Sequence, residues 1–86
     1  MRIQFSNQFR KQFRKLRLGE QNRFWEKLEL FKQDPHNRQL RNHALVGKYS
    51  GLRSINVGGD LRALYRQIGD DIVLYELVGT HSQLYG

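Results

Sequence analysis

Three histidines stand in this 86-residue chain: His36, His43 and His81. An imidazole titrates near pH ~6.5, so it can give or take a proton under cellular conditions. His36 lies in the turn sequence "DPHN" and reads as a solvated loop residue. His43 precedes a series of strand-like segments in "RNHALVG", and His81 follows the last of them in "GTHSQLYG". In an antiparallel meander these two positions can meet at one end of a sheet face. Asp60 and Arg62, in "GGDLR", add a carboxylate and a guanidinium. The set suits metal-free acid–base chemistry on a polyanion such as RNA. There a base activates the 2′-hydroxyl for attack on the adjacent phosphate, and an acid protonates the 5′-oxygen leaving group. Arginine is suited to hold the charge that develops on the phosphoryl oxygens. Tyr85, close behind His81, can stack on a splayed base.

Other chemistries fit less well. No H-E-x-x-H or C-x-x-C spacing is present, and two histidines with one Asp make a thin metal-ligand set. A Ser-His-Asp triad lacks its G-x-S-x-G elbow. Gly58-Gly59 has neither the spacing nor the following helix of a phosphate loop. The expectation is therefore a site with no metal and no cofactor.

Charge points the same way. Fifteen Lys and Arg against eight Asp and Glu give a formal charge of +7, and ten of the fifteen are Arg. Such an excess attracts polyanions, and the planar guanidinium binds phosphate in bidentate fashion. A chain this short buries only about 60–65% of its unfolded surface, so one domain, 1–86, with its site on a surface or groove is expected. There is no Cys, which excludes disulfides and thiolate metal sites. Neither a signal peptide nor a run of ~20 apolar residues is seen, so the expected location is cytoplasmic, away from the membrane.

The elements that must position these residues follow from spacing. "MRIQF" alternates and reads as a short strand, with Ser6 or Asn7 capping the helix after it. Phe9, Phe13 and Leu16 form one apolar stripe, and Phe24, Leu28 and Phe31 form another, with Trp25 alongside. "LGEQ" reads as a glycine stop and acidic restart between two antiparallel helices. "GLRSINV", "DLRALYRQI" and "DIVLYELVGT" then read as a three-stranded antiparallel meander. The predicted class is α+β, with a strand and helical hairpin packed on one face of a small antiparallel sheet. A three-residue turn of Val57, Gly58 and Gly59 would pair Asn56 with Asp60 and Ser54 with Arg62. That puts all four on one face, opposite Ile55, Leu61 and Ala63, and makes the face away from the helices polar and basic. It leaves Arg53 on the apolar side.

The segment "NHALVGKYSGLRSINVGGDLRALY" and the ending "VGTHSQLYG" resemble the RelE superfamily of bacterial toxins, and most closely its YafQ branch. The likeness is detailed over the C-terminal half and extends to the whole chain in element order. It implies a RelE-like fold and a ribosome-dependent, metal-independent endoribonuclease that cleaves messenger RNA in the ribosomal A site. It also implies a cognate antitoxin, through which the pair would bind operator DNA. By position, His43, Asp60 and His81 match catalytic residues of the branch, and Tyr85 matches an aromatic implicated in activity. Where the branch has a further catalytic histidine, this chain has Asn56, an amide that donates hydrogen bonds but shuttles no protons. Arg62, with Lys48 and Arg53, is expected to hold the phosphate. Two other readings stand beside this one: a non-catalytic ParE-like inhibitor of DNA gyrase, and a plain basic RNA-binding module. The histidines argue against the first, and the lack of an RNP1 or GXXG motif against the second.

Overall fold

Ser6 ends the first strand and starts the first helix. Its hydroxyl accepts from the Phe9 amide at 2.9 Å and donates to the Glu76 carbonyl at 2.8 Å, so the cap also ties the helix to the last strand. In the computed structural model, which describes residues 1–86, β1 (Arg2–Phe5) leads to α1 (Asn7–Arg14) and α2 (Leu18–Gln33). A 3₁₀ turn (Arg38–Leu40), the two-residue β2 (His43–Ala44) and a second 3₁₀ turn (Gly47–Tyr49) follow. The chain continues with β3 (Arg53–Gly58), β4 (Leu61–Gln67), β5 (Ile72–Thr80) and a short α3 (His81–Tyr85). No helix is long and apolar enough to cross a membrane.

The helix break differs from the expected glycine stop. α1 ends at Arg14, and Gly19 sits inside the first turn of α2. What starts α2 is Glu20, whose carboxylate accepts from the Arg17 amide at 2.9 Å.

The sheet is wider than a three-stranded meander and is mixed. Its order is β1-β5-β4-β3-β2, and β1 runs parallel to β5, with Phe5 opposite Tyr75. Phe9, Phe24, Leu28 and Phe31 from the two long helices pack on Ile55, Val57, Leu61, Ala63, Tyr65, Val73, Tyr75 and Val78. Burying each large side chain here contributes about 1.5–3 kcal/mol. Phe9 and the Phe24–Leu28–Phe31 stripe are thus core, as their spacing predicts, whereas Phe13 and Leu16, the latter beyond the end of α1, are half-buried against it and Trp25 is exposed.

The register also needs correction. The chain turns at Gly59 and Asp60, Gly58 pairs with Leu61, and a bulge at Val57 resets the ladder so that Asn56 faces Arg62 and Ser54 faces Leu64. The bulge takes up one residue, and the turn is displaced by one. The pairing shifts by two positions overall, an even number, so the faces survive: Ile55, Leu61 and Ala63 enter the core while Ser54, Asn56 and Arg62 lie opposite.

That opposite face is not wholly polar. Leu52, Leu64 and Leu84 form a small second core, with Leu45, Tyr49 and Leu77 around it. α3 therefore covers part of the face expected to be bare.

One core atom is out of place. The Tyr75 hydroxyl is buried without a hydrogen-bond partner, and burial, with Tyr65 nearby, pushes its pKa far above the ordinary tyrosine range. Such an orphan costs about 1–3 kcal/mol. Tyr75→Phe is expected to stabilise the fold by about 1 kcal/mol in urea denaturation. A destabilised variant would mean that the hydroxyl is bonded in solution.

Candidate active site

The tail "GTHSQLYG" is a built corner of the molecule. A side chain at Gly79 would place its Cβ 3.0 Å from the Gln83 Oε1 and 3.6 Å from Leu84, so glycine lets α3 fold back on the sheet. The Thr80 hydroxyl accepts from the Gln83 amide at 3.2 Å, and the Gln83 side chain accepts from the Thr80 amide at 2.8 Å, a reciprocal cap. Leu84 fills the second core, and the Tyr49 hydroxyl donates to the Leu84 carbonyl at 2.6 Å. Everything needed to hold a five-residue helix is supplied within or beneath it.

α3 presents His81 and Tyr85. The His81 ring lies 4.7 Å from the Tyr85 ring, and Tyr85 meets Tyr49 edge-on at 5.4 Å. Burial, then the Tyr49 neighbour, raises the Tyr85 pKa above its usual value. A hydrogen bond from Ser54 and the charge of Arg62 pull the other way. The raised value keeps the phenol protonated at neutral pH, so Tyr85 is a neutral donor there.

His43 reaches the same place from the other side. It pairs with Ser54 across β2 and β3, and paired residues of antiparallel strands project to one face. His43, Ser54, Tyr85 and His81 thus form a row. The His43 Nδ1 lies 2.8 Å from the Arg41 carbonyl. A carbonyl only accepts, so Nδ1 carries the proton and the neutral ring leaves Nε2 free as an acceptor. Asp60 closes the other end: its carbonyl accepts from the His81 amide at 3.0 Å, while its carboxylate joins no ion pair.

Arg62 faces this row. Its Nη1 donates to the Asn56 Oδ1 at 2.9 Å, to the Gly59 carbonyl at 2.9 Å and to the Leu61 carbonyl at 3.1 Å. Glu76, a carboxylate that Arg62 could have paired with, is instead bound to Arg66 at 2.7 Å. Lys48 sits at the margin, its Nζ 5.2 Å above the Tyr49 ring. No three His, Cys, Asp or Glu side chains cluster closely enough to hold a metal ion.

A family model described as the bacterial toxin of type II toxin–antitoxin systems, YafQ, matches residues 1–86. The chain belongs to the YafQ family of type II toxins. YafQ from E. coli strain BL21(DE3) matches with a TM-score of 0.79 at 24% identity, each chain covered in full. The E. coli DinJ–YafQ complex matches with a TM-score of 0.73 at 25% identity, again over 100% of both chains. An archaeal RelE–RelB complex from Pyrococcus horikoshii matches with a TM-score of 0.73 at 21% identity over 95% of this chain and 96% of that one. No curated protein sequence matches.

In this YafQ-family toxin the residues expected to act together separate into two groups. His43, Asn56, Asp60, Arg62, His81 and Tyr85 gather at one end of the second face, with Lys48 beside them. Arg53 does not join them: it pairs with Tyr65, a core-face residue, and its Nε donates to the Asn42 Oδ1 at 2.9 Å. Asn42 in turn donates to the Tyr65 hydroxyl at 2.8 Å, so the Arg53 Nε is tied into an edge network on the core side of the sheet. Two contributors, Ser54 and Tyr49, were missed. The alternation of "RSIN" was enough to align Ser54 with Asn56; nothing local marked Tyr49 as the floor under a helix 35 residues later.

Proposed function

We propose that this toxin is a ribosome-dependent endoribonuclease that cleaves messenger RNA by metal-free acid–base catalysis. The observation that carries the reading is the row His43–Ser54–Tyr85–His81 on one cationic face, with Arg62 alongside. The acid and base are both imidazoles, so the proton transfers ask nothing of a metal. His43, with Nε2 unprotonated, takes the proton of the 2′-hydroxyl. The 2′-oxygen attacks phosphorus, and the bond to the 5′-oxygen breaks as His81 donates its proton to that oxygen. The products are a 2′,3′-cyclic phosphate and a 5′-hydroxyl. Arg62 keeps donors in reserve beyond Nη1, and the Asn56 amide donates from Nδ2, so both address the non-bridging oxygens. Asn56 replaces a proton shuttle with a fixed donor, which leaves proton transfer to His43 and His81. Asp60 orients His81 through the turn, Tyr85 supports the nucleobase or the phosphate, and Lys48 adds charge at the rim.

The cognate antitoxin is the expected partner, as DinJ is for YafQ in the E. coli complex. A protein carrying +7 favours an acidic segment that folds across it.

Primer extension on messenger translated with the toxin tests the reading. New ends inside the A-site codon are expected, and kcat should show an ionisation between about pH 5 and 8. Growth arrest without new ends would replace the nuclease by a non-catalytic inhibitor.

A further inference from the structure

A second cationic feature lies just outside this site. β2 pairs only with Arg53 and Ser54, so the outer edge of β3 from Ile55 to Gly58 has no strand beside it. Along that edge runs a trough of about 640 Å³, lined by Lys27, Asn37, Arg38, Gln39, Arg41 and Asn56, with no apolar side chain among them. None of the three cations is ion-paired; of all basic side chains only Lys32 and Arg66 are. Arg23 adds a fourth positive group at the end of the edge, where its Nε would lie 2.8 Å from a Cβ at Gly58.

Two residues join trough and site. Asn56 lines the trough while its Oδ1 holds Arg62. Arg41 lines it too, and its carbonyl fixes the Nδ1 of His43. Arg41 is the one non-glycine residue with positive φ, at 48°, a left-handed conformation that a bulky side chain adopts only when its surroundings impose it.

We propose that this trough is a track for the phosphodiester backbone of the RNA strand that occupies the site, gripping consecutive phosphates of the flanking nucleotides through Lys27, Arg38 and Arg41. The inference rests on the nuclease reading and extends its substrate from one linkage to a stretch of single strand. A polyphosphate fits because the lining is all polar and the charge is unanswered. An acidic protein segment fits less well, because it would bring apolar side chains with nothing to meet. The aromatic hollow of Phe5, Phe9, Phe13 and Trp25, with Arg10 and Arg14 at its rim, is a separate feature lined by β1, α1 and Trp25 of α2.

The test uses the His81→Ala protein, chosen so that bound RNA is not cut, and the anisotropy of a labelled trinucleotide and a labelled single-stranded dodecamer across a salt series. The dodecamer is expected to bind at least about ten-fold tighter, an advantage arising from added phosphate contacts. Adding Lys27→Gln, Arg38→Gln and Arg41→Gln should abolish that advantage and flatten the slope of log K against log salt by about 2, or about 0.7 for each lost contact on single strands. Circular dichroism confirms that the quadruple variant is folded; if it is not, each single Gln variant should lower the slope by about 0.7. An unchanged slope and length advantage would overturn the track and leave the nuclease reading standing. Loss of binding to an acidic peptide alone, with RNA unaffected, would overturn it as well. So would a duplex that needs the three cations yet does not compete with the trinucleotide, since the RNA in the trough would then be a separate molecule. If neither oligonucleotide binds the His81→Ala protein, the track is overturned, while the ribosome-dependent nuclease reading still stands or falls on primer extension.

Discussion

Replacing His81 with alanine is expected to slow messenger cleavage by about 10²–10⁴-fold, the range for loss of a positioned acid or base. The side chain is exposed and sits at the first position of α3, outside both cores. Its contact with Asp60 is made by the backbone amide, which alanine keeps. Thermal unfolding should therefore move little while turnover collapses. Single-turnover cleavage of a ribosome-bound messenger reads the first quantity and circular dichroism the second. If cleavage persists within about three-fold, His81 has no part in proton transfer. The pH profile gives an independent check, because loss of one of two titrating groups should remove one limb of the rate curve.

Arg62→Ala is expected to lower kcat by about 10²–10³-fold, the usual loss when one donor to a developing oxyanion is removed. Arg62→Lys should recover only part of this, because an ammonium cannot bond the turn and a phosphate at once. A spectroscopic signature separates this effect from general damage. Arg62 lowers the Tyr85 pKa, so its removal should move the tyrosinate absorbance of that residue to higher pH. The sign is fixed: taking a positive charge from beside a phenol disfavours the phenolate. Difference titration of the variant against the Tyr85→Phe background isolates that one ring. A shift to lower pH would show that Arg62 does not face Tyr85 in solution.

Much of this was legible in single residues. The spacing of Phe9, Phe13 and Leu16, and of Phe24, Leu28 and Phe31, identified two amphipathic helices because a 3.6-residue period leaves few alternatives. The alternation through Ser54 and Asn56 assigned faces correctly even though the pairing was wrong, since shifting a strand by two residues preserves every side chain's direction. The bulge at Val57 was not legible: the expected turn took Val57 as a turn residue, and nothing in the residue types around it marks the extra residue in the ladder. The parallel pairing of Arg2–Phe5 with Ile72–Tyr75 has no turn to announce it, because about 70 residues lie between the partners. Arg53 suits a phosphate by type, yet the register already left it on the apolar side, and the structure adds the Nε bond to Asn42 that ties it to the sheet edge. The role of "GTH" was half readable. Glycine, cap and histidine could be seen in order, but the leucine cluster that Gly79 makes room for is assembled from Leu52 just before β3, Leu64 of β4 and Leu84 of α3 together.

The β1–β5 pairing has a temporal meaning. The earliest strand to leave a translating ribosome finds its neighbour only after residue 75 exists, and the imidazole row waits longer still, for Tyr85. A chain in mid-synthesis therefore holds one half of the row without the other.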